Sequence, residues 1–173
     1  VASLYSSLVT RPTGRAVRLA IETQLAEAGE TAFSLIDLSE VTVLDFSCAD
    51  EVVAKLLLRY LEEDRPRDVF FVFRGVADLH RDPIEAVLER QGLAAVAQRD
   101  DGRFELMGTH TPDERRAWSL VEERGRLPAE EAVDVLGPGF VPVVDRLVER
   151  RLVFRLPASG EIHALSRLVA DLI

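Results

Sequence analysis

Apolar side chains in the first 108 residues switch repeatedly between helical spacing and short continuous runs. Residues 14–28 carry apolar groups three and four positions apart, which predicts an amphipathic helix stopped by Gly29. Residues 33–38 form a compact apolar run that continues over 41–44, which predicts a buried strand at the centre of a sheet and the loop after it. Helices and strands that alternate in this way predict an α/β domain.

The alternation continues through the rest of this segment. Helical spacing returns over residues 49–61 and again over 78–91. Five consecutive apolar residues at 69–73 are too few for a stable helix and predict a strand between these two helices. Two short strands, at 93–97 and 103–107, are predicted to complete the domain, and the sequence Asp-Asp-Gly between them predicts a turn.

The pattern of elements changes at residues 108–112, where Gly-Thr-His-Thr-Pro interrupts any periodicity. We therefore predict one domain over residues 1–108 and a second over 111–173. The second is predicted to contain three helices, at 112–125, 128–136 and 142–152, followed by strands at 152–156 and 161–165. Thr111 is the predicted N-cap of the first of these helices. This order is the plan of a winged helix-turn-helix.

The chain is acidic, with a formal net charge of -9 and a pI of about 4.9. Such a charge repels polyanions, which argues against non-specific adhesion to nucleic acid or to anionic lipid. Arginines at positions 11, 15 and 18 interrupt the first twenty residues, and no apolar run approaches the ~18 residues that span a bilayer. We therefore expect that the chain neither crosses nor enters a membrane. A single cysteine cannot form an internal disulfide, so we expect a cytoplasmic protein.

The sequence contains no glycine-rich phosphate loop, no Gly-x-Ser-x-Gly motif and no Cys-x-x-Cys pair. We therefore expect a protein that is not an enzyme and that needs no cofactor. Cys48 lies among acidic neighbours that raise a thiol pKa, which favours a small buried filler over a redox sensor. Asp78, His80 and Asp82 are potential metal ligands at alternate positions, but their place at a predicted helix start favours capping over a metal site.

Residues 36–41, Ile-Asp-Leu-Ser-Glu-Val, are followed by Leu-Asp-Phe-Ser at 44–47 and by Ser-Cys-Ala-Asp-Glu at 47–51. This succession of strand, loop and helix start resembles the centre of a STAS domain, the family that includes the bacterial anti-sigma-factor antagonists. The resemblance covers residues 1–108 and implies a mixed sheet with helices packed on it. Function transfers less readily than fold, so the resemblance alone does not assign a role to any residue of the site.

In the phosphoregulated antagonists, a Ser or Thr directly after the loop Asp accepts phosphate from a partner kinase. Here the loop residue is Asp45 and the next position is Phe46, which leaves Ser47 as the nearby hydroxyl. A phosphate on Ser47 would gain from the helix N-terminus but would meet the charges of Asp45 and of the acidic pair at 50–51. The competing interpretation is that Ser47 is the helix N-cap, whose hydroxyl accepts a backbone amide.

The resemblance implies a regulator that acts by binding another protein. A kinase, an anti-sigma factor and a sigma factor are the candidate partners, and a second copy of the chain is a further one. We expect the docking surface to lie on the loops and the helix start of the motif. The residues concerned are Ser39, Asp45, Phe46, Ser47 and Asp50.

Residues 111–173 resemble the winged-helix domains of bacterial regulators, most clearly over 146–153. Many such domains bind DNA, so a DNA-binding regulator is the alternative. Its phosphate contacts would come from Arg150, Arg151, Arg155 and Arg167. The start of the third helix, at 137–142, offers no side-chain donor to bases, and nine arginines against eleven acidic residues leave this segment at -2. These features favour protein contact over DNA, and a sensor of a small ligand or nucleotide is the third interpretation.

Overall fold

The computed structural model describes residues 6–172. The chain divides into two compact units, one up to Thr109 and one from His110 onward, and the division falls within the predicted break at residues 108–112. Each unit contains both helices and strands, which confirms the mixed α/β class. Within the described range, no helix is both long and apolar enough to cross a membrane.

The first unit opens with a short strand and then alternates helices and strands. Its elements are β1 (Ser7–Leu8), α1 (Arg11–Ala26), β2 (Thr31–Asp37), β3 (Val43–Leu44), α2 (Phe46–Ala49), a π-helical turn (Asp50–Lys55), α3 (Leu56–Leu61), β4 (Asp68–Val76), α4 (Asp78–Arg90), β5 (Ala94–Arg99) and β6 (Phe104–Gly108). The helix predicted over 14–28 begins earlier, because Pro12 occupies the first turn, where a missing N–H costs nothing. It ends at Ala26, two residues before the predicted end at 28, so the prediction that Gly29 stops it is wrong.

Four strands form the main sheet in the order β2-β4-β5-β6, with β2, β4 and β5 parallel and β6 antiparallel to β5. The prediction of a central strand at 33–38 is wrong, because β2 lies at the edge of the sheet that residues 6–172 form. The centre belongs to β4 and β5, and the run Val69 to Phe73 in β4 is buried throughout. An apolar run indicates burial, but which strands become neighbours depends on segments far away in the sequence.

Strands β1 and β3 form a separate parallel pair in which Leu8 lies opposite Leu44. The strand predicted to continue over 41–44 therefore shrinks to two residues, of which Leu44 is buried and Val43 is exposed. Because the two strands run in the same direction, they end side by side. The helices that follow them, α1 and α2, are in contact.

The core of the first unit is built from the main sheet, α1, α4 and the long helical segment from α2 to α3. Alternate residues of β4, among them Phe71 and Phe73, belong to this core together with the apolar stripe of α1. The rings of Tyr60 and Phe71 pack at a centroid distance of 5.6 Å. The helical periodicity that the sequence predicts for these segments is therefore confirmed.

The second unit follows the predicted succession of three helices and a hairpin, and in addition contains a short strand, a 3-10 turn and a helix after the hairpin. Its elements are α5 (Pro112–Arg124), β7 (Arg126–Leu127), α6 (Ala129–Leu136), a 3-10 turn (Pro138–Phe140), α7 (Val141–Glu149), β8 (Val153–Arg155), β9 (Ile162–Ala164) and α8 (Leu165–Leu172). The three strands are antiparallel, in the order β7-β9-β8. Sequence reasoning missed β7 and α8, although Leu165 and Val169, four positions apart and both buried, carry the spacing that indicates α8.

The ends of the helices in this unit follow from local chemistry. Thr111 caps α5 as predicted, since its hydroxyl accepts the N–H of Glu114 at 3.1 Å and Oε1 of Glu114 accepts the N–H of Thr111 at 3.1 Å. Gly125, with φ of 74°, ends the same helix. Helix α7 ends at Glu149, before the predicted residue 152, because Arg151 has a left-handed φ of 60° that a helix cannot contain.

Candidate functional site

The ends of β1 and β3 meet at a corner that the carboxylate of Asp45 holds together. Asp45 follows β3, and its N–H donates to the carbonyl of Leu8 at 3.0 Å. Its Oδ1 accepts the N–H of Cys48 at 2.7 Å and so caps α2. Its Oδ2 accepts the N–H of Thr10, which precedes α1, at 3.0 Å. One side chain therefore fastens the starts of two helices to each other.

Ser47 is not the N-cap, so that interpretation of the sequence is wrong. Asp45 takes the position with the extended backbone of a cap residue, and Ser47 lies inside the first turn of α2. The hydroxyl of Ser47 donates to Oδ1 of Asp45 at 2.9 Å. A phosphate on this hydroxyl would remove the hydrogen bond and add about two negative charges beside a carboxylate. The geometry argues against Ser47 as a phosphoacceptor.

One residue at the same corner has a strained backbone. Thr10, a β-branched residue, has φ of 74°, in the left-handed region that favours glycine. Its carbonyl accepts the thiol of Cys48 at 2.8 Å. Burial, and after it the charge of Asp45, raises the pKa of Cys48 to about 11, so the thiol stays protonated at neutral pH. The prediction that Cys48 is a buried residue with a raised pKa is confirmed.

We expect Asp45→Ala to lower the free energy of unfolding by about 1–2 kcal/mol, because it removes the cap of α2 and the bond to Thr10. Ser47→Ala is the matched control, since it removes only one hydrogen bond to the same carboxylate and should cost less than about 1 kcal/mol. Urea unfolding of the two variants measures the difference. Equal losses would show that Asp45 does not hold the corner.

A buried ion cluster accompanies the corner. The carboxylate of Glu51, only 2% exposed, accepts hydrogen bonds from three cations. The donors are Lys55 at 2.5 Å, Arg11 at 2.9 Å and Arg18 at 3.1 Å. Asp50 accepts a further bond from Arg11 at 2.7 Å. These five residues, which we call the ion cluster, tie α1 to the π-helical turn.

The π-helical turn accounts for the burial of two adjacent acidic residues. All of its first five residues, Asp50 to Ala54, are buried, whereas a regular α-helix at a surface buries only one face. Burial alone would raise the pKa of Glu51, but the hydrogen bonds from its three cations outweigh burial and lower the pKa to about 2. The carboxylate is therefore ionised at neutral pH.

The ion cluster is not predicted from the sequence, where Asp50 and Glu51 enter only as charges that would oppose a phosphate on Ser47. Asp50 is also predicted to lie on the exposed docking surface, and this prediction is wrong, because Asp50 is buried and held by Arg11. Arg11 and Arg18 are seven positions apart, so the sequence indicates that they share one face of a helix, but not that this face packs against Glu51.

Four exposed apolar residues lie on, or directly after, elements that contact one another, namely β1, β3, α2 and α4. Phe46, the first residue of α2, is 56% exposed although it is aromatic. Val9 follows β1, Val43 begins β3, and Leu79 lies on α4, which contacts both β3 and α2. We call these four exposed residues the docking face. Grouped exposed apolar residues mark sites of protein interaction, and Phe46 is placed by the cap residue directly before it.

Three residues of the predicted docking surface lie together in the structure. Asp45, Phe46 and Ser47 lie together at the corner. Ser39 is exposed at the end of β2, where its hydroxyl and its N–H both donate to Oδ1 of Asp37, at 2.6 and 2.9 Å. Exposed acidic residues that neighbour the docking face in sequence are Glu40, Asp78 and Asp82.

His80 is a capping residue, as its place at a helix start predicts. Its ring is buried, Nδ1 accepts the N–H of Ala77 at 3.1 Å, and Nε2 donates to the carbonyl of Val41 at 2.8 Å. Both ring nitrogens are therefore occupied. Over residues 6–172, no group of three His, Cys, Asp or Glu side chains could hold a metal ion.

Three of the four arginines predicted to contact DNA have partners within the second unit. Arg150 donates at 2.6 Å to Oε2 of Glu114, a carboxylate that is almost fully buried. Arg155 donates to an aspartate of α7 at 2.6 Å, and Arg151 turns back to carbonyls at the end of the same helix. Arg167 is exposed on α8. Three of the four side chains are thus engaged in contacts inside the unit.

Comparison with protein-family models, with curated proteins and with solved structures yields no significant match. The resemblance to STAS and winged-helix domains therefore rests on the residues and on the order of elements.

Proposed function

We propose that this chain is a non-enzymatic regulator whose first unit, a STAS-like domain, binds a basic protein partner through the docking face. The observation that carries the proposal is Phe46, an exposed aromatic residue at the start of a helix. It occupies the position at which the phosphoregulated antagonists present a hydroxyl to a partner kinase. An apolar anchor in this place favours constitutive docking over a phosphate switch.

The docking face is held in place before a partner arrives. The corner around Asp45 fixes the backbone on both sides of Phe46, and the ion cluster fastens α1 to the helical segment that follows. Little conformational entropy is therefore lost on binding. Aromatic anchors on such preorganised surfaces carry a large share of binding energy.

The charge of the first unit indicates that the partner is basic. The segment up to Thr109 contains twelve basic and nineteen acidic residues, a formal charge of -7. Opposite charges at the rim of an interface steer the encounter and raise the association rate more than they raise affinity. Association with this partner should therefore slow as salt is added.

In this proposal the second unit supplies a further protein-contacting surface. Its order of helix, strand, two helices and hairpin, with strand order β7-β9-β8, supports a winged-helix-like domain. The internal contacts of Arg150 and Arg155 and the segment's charge of -2 favour protein contact over DNA reading.

Site-specific photocrosslinking tests the proposal. A benzophenone amino acid at position 46 of the full chain, produced in its native host, should give one dominant adduct with a basic protein that mass spectrometry identifies. The control places the same group at Leu19, an exposed apolar residue of α1 outside the docking face. The same adducts at both positions would contradict docking at Phe46. Retention of duplex DNA at about 50 mM salt, lost as salt rises, would favour the DNA-binding alternative.

A further inference from the structure

Three polar side chains stand in one row across the carboxyl ends of the parallel strands. The strand register pairs Asp37 of β2 with Arg74 of β4, and Arg74 with Gln98 of β5. Neighbouring strands lie about 4.8 Å apart, and residues in register project to the same face of a sheet, so the three side chains are adjacent. The preceding row of the same sheet is apolar and belongs to the core.

Two members of this row, Arg74 and Gln98, line a pocket of about 550 Å³ outside the ends of the strands, which we call the strand-end pocket. The polar side chains that line it come from three strand ends and from α4. They include Ser39, Thr42, Arg74, His80, Gln98 and Arg99. Ligands of open α/β sheets bind outside the carboxyl ends of the strands, and this volume is typical of a small-molecule site.

Backbone contacts fix the shape of the strand-end pocket. Gly75 has φ of 67°, and a Cβ at this position would approach the backbone nitrogen of Ser39 to 2.7 Å. The N–H of Leu38 donates to the carbonyl of Arg74 at 2.8 Å. The register between β4 and β5 shifts between Arg74 and Val76. Irregularities of this kind re-aim side chains and are frequent beside functional sites.

The strand-end pocket contains polar groups whose hydrogen-bonding capacity is unused. Within the part of the chain that the structure describes, Oε1 of Gln98 and Nε of Arg99 are buried and have no hydrogen-bond partner. In the same part, the guanidinium of Arg74 donates no hydrogen bond. Burial would raise the pKa of Asp37, but the hydrogen bonds from Ser39 and, after them, the charge of Arg74 lower it. Asp37 is already occupied by Ser39. A buried polar atom without a partner costs about 1–3 kcal/mol, so a ligand that satisfies these groups is favoured.

We propose that the strand-end pocket binds a small metabolite that carries one oxyanion, a carboxylate or a phosphate, next to an O–H or N–H donor. Arg74, which is partly exposed, holds the oxyanion. Nε of Arg99 and Oε1 of Gln98 are covered by protein in this structure, so the two side chains turn toward the ligand to pair with its oxyanion and its donor. Asp78, which pairs with Arg99, and Asp100 on the pocket's lining oppose a ligand with several negative charges. The pocket shares Leu79 with the docking face, but its ligand contacts do not involve Phe46.

Isothermal titration of the full chain with four probes tests this site. L-Lactate and glycerol 3-phosphate carry an oxyanion beside a hydroxyl, and acetate and sulfate are the matched probes without that donor. We expect one of the first two to bind with a Kd below about 1 mM and its donor-free match to bind at least about tenfold more weakly. The better of the two probes distinguishes a carboxylate ligand from a phosphate ligand.

Three variants assign the binding to named residues. Arg74→Met should weaken binding at least about tenfold, because it removes a charge-assisted contact, and Gln98→Leu should remove the preference for a probe with a donor. Arg90→Met is the control, since Arg90 is an exposed arginine of α4 outside the pocket, and it should bind as the wild type does. Circular dichroism confirms that each variant is folded.

The proposal is overturned if neither hydroxyl-bearing probe binds with a Kd below about 1 mM, or if Arg74→Met and Gln98→Leu both bind the probe as the wild type does. These results are separable from the proposed function. Crosslinking at position 46 without probe binding removes the ligand site alone, and probe binding without a specific adduct at position 46 removes the docking proposal alone.

Discussion

Glu51→Gln should lower the free energy of unfolding by about 3 kcal/mol, because it leaves the charges of three cations around a neutral amide in a buried site. Arg11 and Lys55 are nearly half exposed and can turn to water, whereas Arg18 is mostly buried and cannot. The loss should therefore fall at the lower end of the range for broken buried pairs. Urea unfolding of the full chain, followed by circular dichroism, measures it.

Glu62→Gln is the matched control for this substitution. Glu62 forms an exposed pair with Arg59 at 3.4 Å, and such pairs contribute little. We expect its loss to stay below about 0.5 kcal/mol. A loss as small as this for Glu51→Gln would mean that the ion cluster does not hold α1 on the π-helical turn.

The same carboxylate predicts how stability depends on pH. The pKa of Glu51 is lowered from its ordinary value of 4.5 to about 2, so the folded chain favours the ionised form. The stability that this provides is complete above pH 4.5 and is lost as the pH falls through about 2. The difference in stability between wild type and Glu51→Gln should therefore shrink over that window. A difference that is constant from pH 6 to pH 2 would contradict the lowered pKa.

Gly14→Ala should lower the free energy of unfolding by at least about 2 kcal/mol. A Cβ at Gly14 would lie 2.8 Å from Cα of Cys48 and 3.1 Å from Cβ of Glu51, and the first of these is backbone that cannot move aside. The gain in helix propensity, about 1 kcal/mol, is smaller than this steric cost. The close approach of α1 to the segment after Asp45 requires a residue without a side chain.

Gly29→Ala is the control for Gly14→Ala. A Cβ at Gly29 meets nothing within 4 Å, and the residue lies in the connection between α1 and β2. We expect a neutral or slightly stabilising effect, since alanine restricts the unfolded chain more than glycine does. Thermal and urea unfolding measure the change in stability for both variants. A destabilisation of the same size in both would show that the cost at Gly14 does not come from the contact with Cys48.

Much of the fold follows from the sequence because periodicity is a local property. The apolar spacing of residues 78–91, the N-cap at Thr111 and the turn at Asp100 to Gly102 all predict elements that the structure contains. The sheet position of β2 could not be predicted in the same way. Its apolar run resembles that of β4, and only pairing with distant strands places one at the edge and the other inside.

The candidate site shows the same division between local and distant information. Asp45 and Phe46 can be located from the motif, which places them where a loop meets the start of a helix. A residue at such a place can cap the helix, and its neighbour can face solvent. The burial of Asp50 and Glu51 could not be predicted, because their cations Arg11 and Arg18 lie more than thirty positions away in the sequence. Which neighbouring residue becomes the cap, Asp45 or Ser47, depends on where the helix begins, and that boundary is uncertain by a residue or two in any sequence pattern.

The affinity of the partner crosslinked at position 46, measured by titration calorimetry with purified proteins, tests the central claim most directly. Docking through Phe46 predicts that Phe46→Ala binds about 30-fold more weakly than the wild type, a loss of about 2 kcal/mol typical of an aromatic anchor, while Leu19→Ala binds unchanged. Equal affinities for Phe46→Ala and the wild type would contradict the account.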